Sequence, residues 1–112
     1  MLVFKIFRRA EWDALRKAGR SLGAPIDLED GYIHLSTPEQ VTDTAAKHFA
    51  GESDLVLVAL ATDRLGPELK WEASRGGALF PHLYRAMTLD DVVWDKSLPL
   101  GATGHIFPEG VV

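Results

Sequence analysis

One uninterrupted apolar run constrains the fold more than any other feature of the chain. Residues 54–61 read DLVLVALA, with no polar side chain between Leu55 and Ala61. A membrane span needs about 20 apolar residues, so this run is too short to cross a bilayer. Its length and aliphatic content are typical of a strand that is buried on both faces. We therefore predict a central strand here and no membrane partner.

Shorter strand signals lie on both sides of this run. Residues 2–7 and 32–36 have the β-branched and aromatic composition of strands, and residues 69–72 and 92–94 are weaker candidates. Residues 20–31 are rich in Gly, Pro and Asp, which predicts an ordered surface loop. The strands thus alternate with segments of other types.

Two main helices are expected between these strands. Apolar residues recur at helical spacing before Gly19, which is placed as a left-handed C-terminal cap. The second helix is expected to begin with Thr37 as N-cap, Pro38 in the first helical position and Gln40 closing a capping box. We predict that it runs to about residue 49. The elements together predict an α+β fold, a small mixed, split sheet with two main helices, in a single domain over residues 1–112.

Charge and cysteine content exclude several functional classes. Twelve Lys and Arg against sixteen Asp and Glu give a net charge of −4, which is unsuited to general nucleic-acid or anionic-membrane binding. The chain has no Cys, which excludes a disulfide framework, a Cys-ligated metal site and a thiol nucleophile. The first residues lack the order of basic and apolar segments of a secretory signal. We therefore expect a cytoplasmic protein.

The first of three polar segments contains His34, Ser36 and Thr37. His34 alternates with Ile33 and Leu35, so its side chain is predicted on the opposite face of the strand. The segment precedes a predicted helix N-terminus, where free N–H groups attract anions. In the alternative interpretation Ser36 and Thr37 only cap the helix and His34 is a hydrogen-bonded, half-buried histidine.

The second polar segment surrounds Glu72. The neighbouring Trp71 is expected to desolvate the carboxylate partly and to raise its pKa, which suits Glu72 to acid–base or electrostatic work. Ser74 and Arg75 follow, and the Arg75 guanidinium is a planar donor for phosphate or carboxylate. The glycine pair at 76–77 lets backbone approach a ligand closely. Alternatively, Glu72 pairs with Arg75 at the surface and the glycines form a turn.

The third polar segment contains a second histidine, His82. Phe80 and Pro81 favour an extended conformation, and we predict that they place His82 and Tyr84 on a constrained loop. His82 adds a side chain that titrates near neutral pH. A purely structural role for Tyr84, packed with its hydroxyl satisfied, is the alternative.

These segments together resemble the bacterial family called domain-of-unknown-function 952. The residues that carry the resemblance are DGYIHLST (30–37), LKWE (69–72), SRGG (74–77) and FPHLY (80–84). The similarity extends over nearly the whole chain. The family is similar in fold to the ADP-ribosyltransferase and RNA 2′-phosphotransferase superfamily, which binds NAD or ADP-ribose-like groups in a cleft of a small split sheet. The resemblance therefore implies a fold and a ligand class of that kind.

The resemblance also implies individual roles. His34 would contact a ribose or nicotinamide group, Glu72 would hydrogen-bond a ribose hydroxyl, and His82 with Arg75 would bind phosphate or a ribose edge. Lys5 stands where many members of the superfamily have His or Arg on the first strand. We assign catalytic roles to His34, Glu72 and His82. The expected substrate-binding residues are Lys5, Ser36, Thr37, Ser74, Arg75 and Tyr84.

Three functions follow from these residues. The first is an enzyme that acts on an NAD-like, ADP-ribose-like or phosphorylated nucleotide, with NAD as a candidate substrate and no assigned cofactor. The second is a non-catalytic module that binds a nucleotide or small anion, which the presence of Lys5 on the first strand favours. The third is a metal-assisted hydrolase that uses two histidines and one glutamate, although we assign no metal ligand.

Overall fold

Two three-stranded antiparallel sheets organise the fold. The computed structural model describes residues 1–111, and for Arg75 it describes the backbone only. The strands are β1 (Leu2–Arg8), β2 (Arg20–Ser21), β3 (Ile33–His34), β4 (Leu55–Ala61), β5 (Leu69–Ala73), β6 (Leu79–Leu83), β7 (Met87–Thr88), β8 (Val92–Leu98), β9 (Leu100–Gly101) and β10 (Gly104–His105). The helices are α1 (Arg9–Ala18), α2 (Pro25–Asp30), α3 (Val41–His48) and α4 (Thr62–Leu65). The prediction of a small α+β fold is confirmed.

The first sheet has the strand order β1-β4-β8 and contains the core. Val56 and Val58 of its central strand β4 pack with Leu15 of α1 in one apolar cluster. Leu57 on the opposite face packs with Val41 of α3 in a second cluster. The strand predicted to be buried on both faces is therefore confirmed as the centre of the molecule. No helix within residues 1–111 is both long and apolar enough to cross a bilayer.

The second sheet has the order β3-β6-β5 and one polar face. Ile33 and Leu83 are register partners on the core side, and His34 and His82 are register partners in the next position. Neighbouring residues of a strand point to opposite faces, so the two imidazoles share the face away from the core. The predicted orientation of His34 is confirmed.

His82 lies on a strand, which corrects the prediction of a constrained loop at this position. Pro81 stands within β6, opposite Trp71 of β5. Its ring fixes an extended φ that a strand tolerates, and its carbonyl still accepts a hydrogen bond from the amide of Leu35 at 3.0 Å. The extended backbone predicted after Phe80 is confirmed, but the segment pairs with β5 and is therefore a strand and not a loop.

Residues 20–31 contain two regular elements, so the prediction of a surface loop was wrong. β2 pairs with β7, and α2 occupies residues 25–30. Pro25 stands in the first turn of α2, where its missing N–H costs no hydrogen bond. Gly31 ends the helix in the left-handed conformation at φ 86°. The same Gly, Pro and Asp residues that suggested a loop are the start and stop signals of a short helix.

The second main helix begins later than predicted. α3 starts at Val41, and residues 37–40 form a turn in which the carbonyl of Thr37 accepts from the amides of Gln40 and Val41. Half of the predicted capping box is present, because the Gln40 side chain accepts from the Thr37 amide at 3.1 Å. α3 ends at His48 and Phe49 is its C-terminal cap, close to the predicted end.

Candidate functional site

A cavity of about 850 Å³ opens on the polar face of the second sheet. Apolar side chains form part of its wall, including Phe4, Ile6, Phe49 and Phe80. The polar side chains on the wall include Lys5, His34, Ser36, Ser74 and His82. The cavity therefore combines an apolar surface with three imidazoles, those of His34, His48 and His82, and a buried amine.

His34 is held by carboxylates from α2 at both of its ring nitrogens. Nδ1 lies 2.6 Å from Oδ1 of Asp27, and Nε2 lies 2.9 Å from Oδ2 of Asp30. Lys5 of β1 approaches from the other side, with Nζ 2.7 Å from Oδ2 of Asp27 and 3.2 Å from the backbone carbonyl of His34. The position of His34 is thus fixed by helix α2 and strand β1 together.

Asp27 is the centre of this network, and its side chain is fully buried. Burial alone would raise the pKa of the carboxyl group. The hydrogen bond from His34 and the charge of Lys5 outweigh burial and lower the pKa of Asp27 below its usual value. The backbone amides of Ala24 and His34 also donate to it, at 2.7 and 3.0 Å. An ionised aspartate is therefore stabilised inside the protein.

The backbone at Gly23 leaves the space that the Asp27 carboxylate occupies. A Cβ atom at Gly23 would lie 2.2 Å from Oδ2 of Asp27, and the residue has a φ of +100°. Both the close approach and the conformation require glycine here. The turn before α2 is therefore part of the construction of the site.

His82 has a different carboxylate partner. Its Nδ1 lies 2.8 Å from Oε1 of Glu72, and the Tyr84 hydroxyl donates to the same oxygen at 2.7 Å. The hydrogen bond from Tyr84, followed by that from His82, lowers the pKa of Glu72. The predicted rise of this pKa was wrong, because the carboxylate is 40% exposed and accepts two hydrogen bonds. The bond to Glu72 in turn raises the pKa of Tyr84 to about 12. Glu72 and Tyr84 are not among the wall residues of the cavity, so they reach it through His82.

Tyr32 packs against the rings of this site. Its ring centroid is 4.7 Å from that of His34, 4.2 Å from that of His82 and 5.1 Å from that of Tyr84. Burial, with the charges of Asp30 and Glu72 adding to it, raises the pKa of Tyr32. The two imidazole centroids are 5.4 Å apart. Tyr32 therefore supports both histidines as one unit.

Only some of the remaining predicted site residues lie on the cavity wall. Ser36 is buried on the cavity wall, and its hydroxyl lies 2.8 Å from that of Thr44. Ser74 also lies on the wall, whereas Thr37 is buried but is not a wall residue. The Arg75 side chain lies outside the described part of the chain, so its predicted ligand contact and its ion pair with Glu72 stay predictions.

Sequence reasoning missed four residues of the site, namely Asp27, Asp30, Tyr32 and His48. His48, at the end of α3, lies on the cavity wall. A signal for Asp27 was present, because Pro25 and Gly31 bracket a short helix and place this acid in its first turn. Nothing in the sequence indicated that the buried Lys5 would be the partner of Asp27.

The described residues offer no evident metal site. Within residues 1–111, no group of three or more His, Asp or Glu side chains is placed to hold a metal ion. The three ligands of the metal-assisted alternative are arranged differently, with Glu72 bound to Nδ1 of His82 and His34 bound to Asp27. The contacts thus make carboxylate–histidine pairs.

Comparison with known proteins identifies the family but no activity. A family model described as "Protein of unknown function (DUF952)" matches residues 6–95. The crystal structure of protein CC0527 from Caulobacter crescentus is 52% identical, with a TM-score of 0.90 over 94% of this chain and 92% of that chain. The solution NMR structure of CC0527 is 53% identical, with a TM-score of 0.83 over 93% and 90% of the two chains. A search of curated proteins gives no match. The chain therefore belongs to the DUF952 family of proteins of unknown function.

Proposed function

We propose that the chain is an enzyme that acts on a phosphate-bearing, nucleotide-like small molecule in the cavity beside the second sheet. One observation carries the proposal. Two imidazoles stand side by side on the wall of a single cavity, and each has its Nδ1 held by a carboxylate. This arrangement supports proton transfer to and from a bound molecule.

The carboxylates give the imidazoles a defined chemistry. An acceptor at Nδ1 fixes the ring orientation and keeps a proton on that nitrogen, so the exchange of a proton with a substrate takes place at Nε2. In His34 a substrate would have to replace the exposed Asp30 carboxylate, which lies 2.9 Å from Nε2. Imidazole is suited to this role because it gains and loses a proton near neutral pH. Asp27 and Glu72 then act as positioning residues for His34 and His82.

The cavity has the size and surface for a ligand of this class. Its volume of about 850 Å³ falls within the range of small-molecule sites. The aromatic wall formed by Phe4, Phe49 and Phe80 suits a base or nicotinamide ring, and the histidine side suits ribose and phosphate oxygens. NAD-like, ADP-ribose-like and phosphorylated nucleotides all have these parts. The likeness to the ADP-ribosyltransferase superfamily stays a prediction and is consistent with this ligand class.

A thermal-shift panel tests the proposal. NAD, ADP-ribose and a 2′-phosphorylated nucleotide are each added to the purified chain, and Zn²⁺ and Mg²⁺ serve as separate arms. A ligand at a hundred times its dissociation constant adds about 2.7 kcal/mol of stability, so the midpoint should rise. The shift should disappear in His34→Gln and persist in His105→Gln, which lies outside the cavity. The proposal would be contradicted if none of the nucleotides raised the midpoint, or if Zn²⁺ alone did so.

A non-catalytic binding module is the second candidate. The observation that favours it is the position of Glu72, which lies behind His82 instead of on the cavity wall. Such a module would bind a nucleotide with the same residues and release it unchanged. Turnover in the presence of a ligand that stabilises the protein distinguishes the two functions.

A further inference from the structure

We infer that two copies of this chain associate through strand β5, so that their second sheets join into one continuous sheet across a twofold axis at Trp71. The inference goes beyond the proposed function and does not depend on it, because it concerns the outer edge of the sheet. Three observations carry it, namely the direction of the backbone groups of β5, the order of its charged side chains and the exposure of its apolar ones.

The backbone of β5 directs half of its polar groups away from the sheet. β5 is the last strand in the order β3-β6-β5, so within residues 1–111 it pairs with β6 only. On either side of this pairing the amide of Tyr84 donates to the carbonyl of Glu68, and the amide of Ser74 donates to the carbonyl of Ala78. Positions that bond to the neighbour alternate along an antiparallel strand, so the even-numbered residues of β5 face β6. The odd-numbered residues therefore direct their backbone groups to the outer edge.

A twofold axis at Trp71 pairs these outward groups with each other. The two Trp71 residues exchange both of their backbone hydrogen bonds, and the amide of Ala73 donates to the carbonyl of Leu69 in the other copy. The amide of Leu69 is already used, because it donates to the carbonyl of Gly66 within the chain. The association thus supplies about four intermolecular hydrogen bonds to an edge that otherwise exposes these groups.

The sequence of β5 is complementary to itself about the same axis. The strand reads LKWEA. Antiparallel pairing about its central residue sets Lys70 opposite Glu72 of the other copy, twice, and sets the two Trp71 side chains opposite each other. Opposite charges and aromatic pairs across strands stabilise a sheet. Lys70 and Glu72 occupy the positions without hydrogen bonds between the copies, where side chains approach most closely.

Glu72 can accept this contact without losing a bond of its own. Among the described residues, His82 and Tyr84 both bond to Oε1 of Glu72, and the Glu72 side chain is 40% exposed. Lys70 is exposed on the same face, with Nζ 5.9 Å from the ring centroid of Tyr84. The ammonium group of Lys70 in the second copy therefore binds Oε2. The second copy adds a cation beside the Glu72–His82 pair.

The other face of β5 exposes apolar side chains next to the axis. Trp71 is 40% exposed and Leu79 is 55% exposed. Leu79 is the register partner of Ala73, which is also exposed. Association brings the two Trp71 rings side by side on this face and removes part of their surface from water. The apolar face and the charged face of the strand thus favour the same arrangement.

The outer strand of the first sheet, β8, has the opposite character. It reads VVWDKSL and lies at the end of the order β1-β4-β8. A twofold axis at Asp95 would set Asp95 against Asp95, and an axis at Lys96 would set Lys96 against Lys96. Like charges directly opposite each other destabilise a sheet, and charges of this kind protect exposed edges from pairing. Self-association is therefore assigned to β5 and not to β8.

Sedimentation equilibrium of the purified chain tests the association. The paired strands are five residues long, which makes a small interface, so we expect a dimer that dissociates on dilution from about 1 mM to about 10 μM. Lys70→Glu and Glu72→Lys each set like charges opposite one another and should stay monomeric over this range. Lys96→Glu makes the same change of charge at an exposed position of β8 and should still dimerise. An unaltered chain that is monomeric at every concentration would overturn the inference.

A mixture of the two charge variants tests the register. Lys70→Glu has acids at both positions and Glu72→Lys has cations at both, so an equal mixture should form a heterodimer although neither variant associates alone. A folding defect in either variant does not produce such a rescue. If both variants are folded, as their thermal midpoints show, and the mixture does not associate, the proposed pairing is wrong.

The backbone contact has a separate test that leaves the charges unchanged. Ala73→Pro removes an amide that points away from β6, so the pairing within the chain is retained and the bond to Leu69 of the second copy is lost. We expect this variant to be monomeric. In the unaltered chain, hydrogen exchange of the Trp71 and Ala73 amides should slow at the higher concentration. A dimer in Ala73→Pro, or dimerisation that leaves this exchange unchanged, would place the contact elsewhere and overturn the inference.

Discussion

The two carboxylate–histidine pairs are built in opposite ways. In the first pair the carboxylate is buried and the imidazole is partly exposed, since the side chain of Asp27 is 0% exposed and that of His34 is 32% exposed. In the second pair the carboxylate is exposed and the imidazole is buried, since the side chain of Glu72 is 40% exposed and that of His82 is 5% exposed. The comparison teaches that a carboxylate–histidine contact can have its carboxylate buried in the core in one place and exposed to solvent in another.

The number of partners explains the difference. Asp27 accepts hydrogen bonds from Lys5 of β1, from His34 of β3 and from the backbone before α2, so it joins three elements. Glu72 joins β5 to β6, which are already paired along five residues. We therefore expect changes at Asp27 to affect stability and changes at Glu72 to affect chemistry.

The largest effect is predicted for Asp27→Ala. Removing one partner of a buried ion pair leaves Lys5 uncompensated and costs about 3–5 kcal/mol. Urea denaturation at pH 7 measures the change in the free energy of unfolding. Asp30→Ala is the matched control, because it removes an exposed carboxylate from the same helix and should cost far less. Equal losses in the two variants would show that burial of Asp27 does not matter.

Glu72→Gln is predicted to separate binding from turnover. Gln keeps the size of the side chain but removes the negative charge that holds the Nδ1 proton of His82, so turnover of a nucleotide that stabilises the protein should fall roughly 10²-fold. The nucleotide-induced thermal shift should be retained. Glu39→Gln, at an exposed position that is not on the cavity wall, is the control. If turnover is unchanged, Glu72 is not a positioning residue.

The next largest effect is predicted for the pH dependence of the free energy of unfolding, through Asp27. The pKa of Asp27 is lowered in the folded protein, so its contribution to stability is present above the pKa of the unfolded chain, about 3.9. That contribution is lost as the pH falls through the lower folded pKa. We expect Asp27→Asn to flatten the decline of unfolding free energy below about pH 5. Denaturation curves over pH 2 to 7 test this, and a slope equal to that of the unaltered chain would contradict it.

The smallest predicted effect is confined to one phenol. Glu72 raises the pKa of Tyr84 to about 12 through their hydrogen bond. Glu72→Gln should therefore move the titration of Tyr84 toward its ordinary value, about 10. Ultraviolet absorbance in a Tyr32→Phe background isolates Tyr84, since the chain has only two tyrosines. An unshifted titration would mean that the Glu72–Tyr84 contact does not persist in solution.

Strand patterning predicted some of the local geometry of the candidate site. The alternation around His34 placed its ring away from the core, and Phe80-Pro81 indicated the extended backbone that leads to His82. Both are local properties, because successive side chains of an extended chain must point to opposite sides. The meeting of His34 with His82 was expected from the family resemblance and rests on strand register, which the pattern of either segment alone does not specify.

The loop prediction for residues 20–31 failed because turn formers have two uses. Pro25 and Gly31 punctuate loops, and they also begin and end short helices. A helix of this length has too few apolar residues to produce a clear periodic signal. As a result, Asp27 was treated as a turn residue, although it is a fully buried member of the site.

The sequence by itself determined the α+β class, the central strand β4 and the side of the second sheet on which His34 lies. These follow from local composition and from the geometry of successive residues. Only the tertiary structure decided that Lys5, Asp27 and His34 form one network around a buried carboxylate and that Glu72 contacts His82 on the cavity wall. The physical reason is that ion pairs between distant segments depend on how elements pack, and no local pattern encodes which buried charge will meet which.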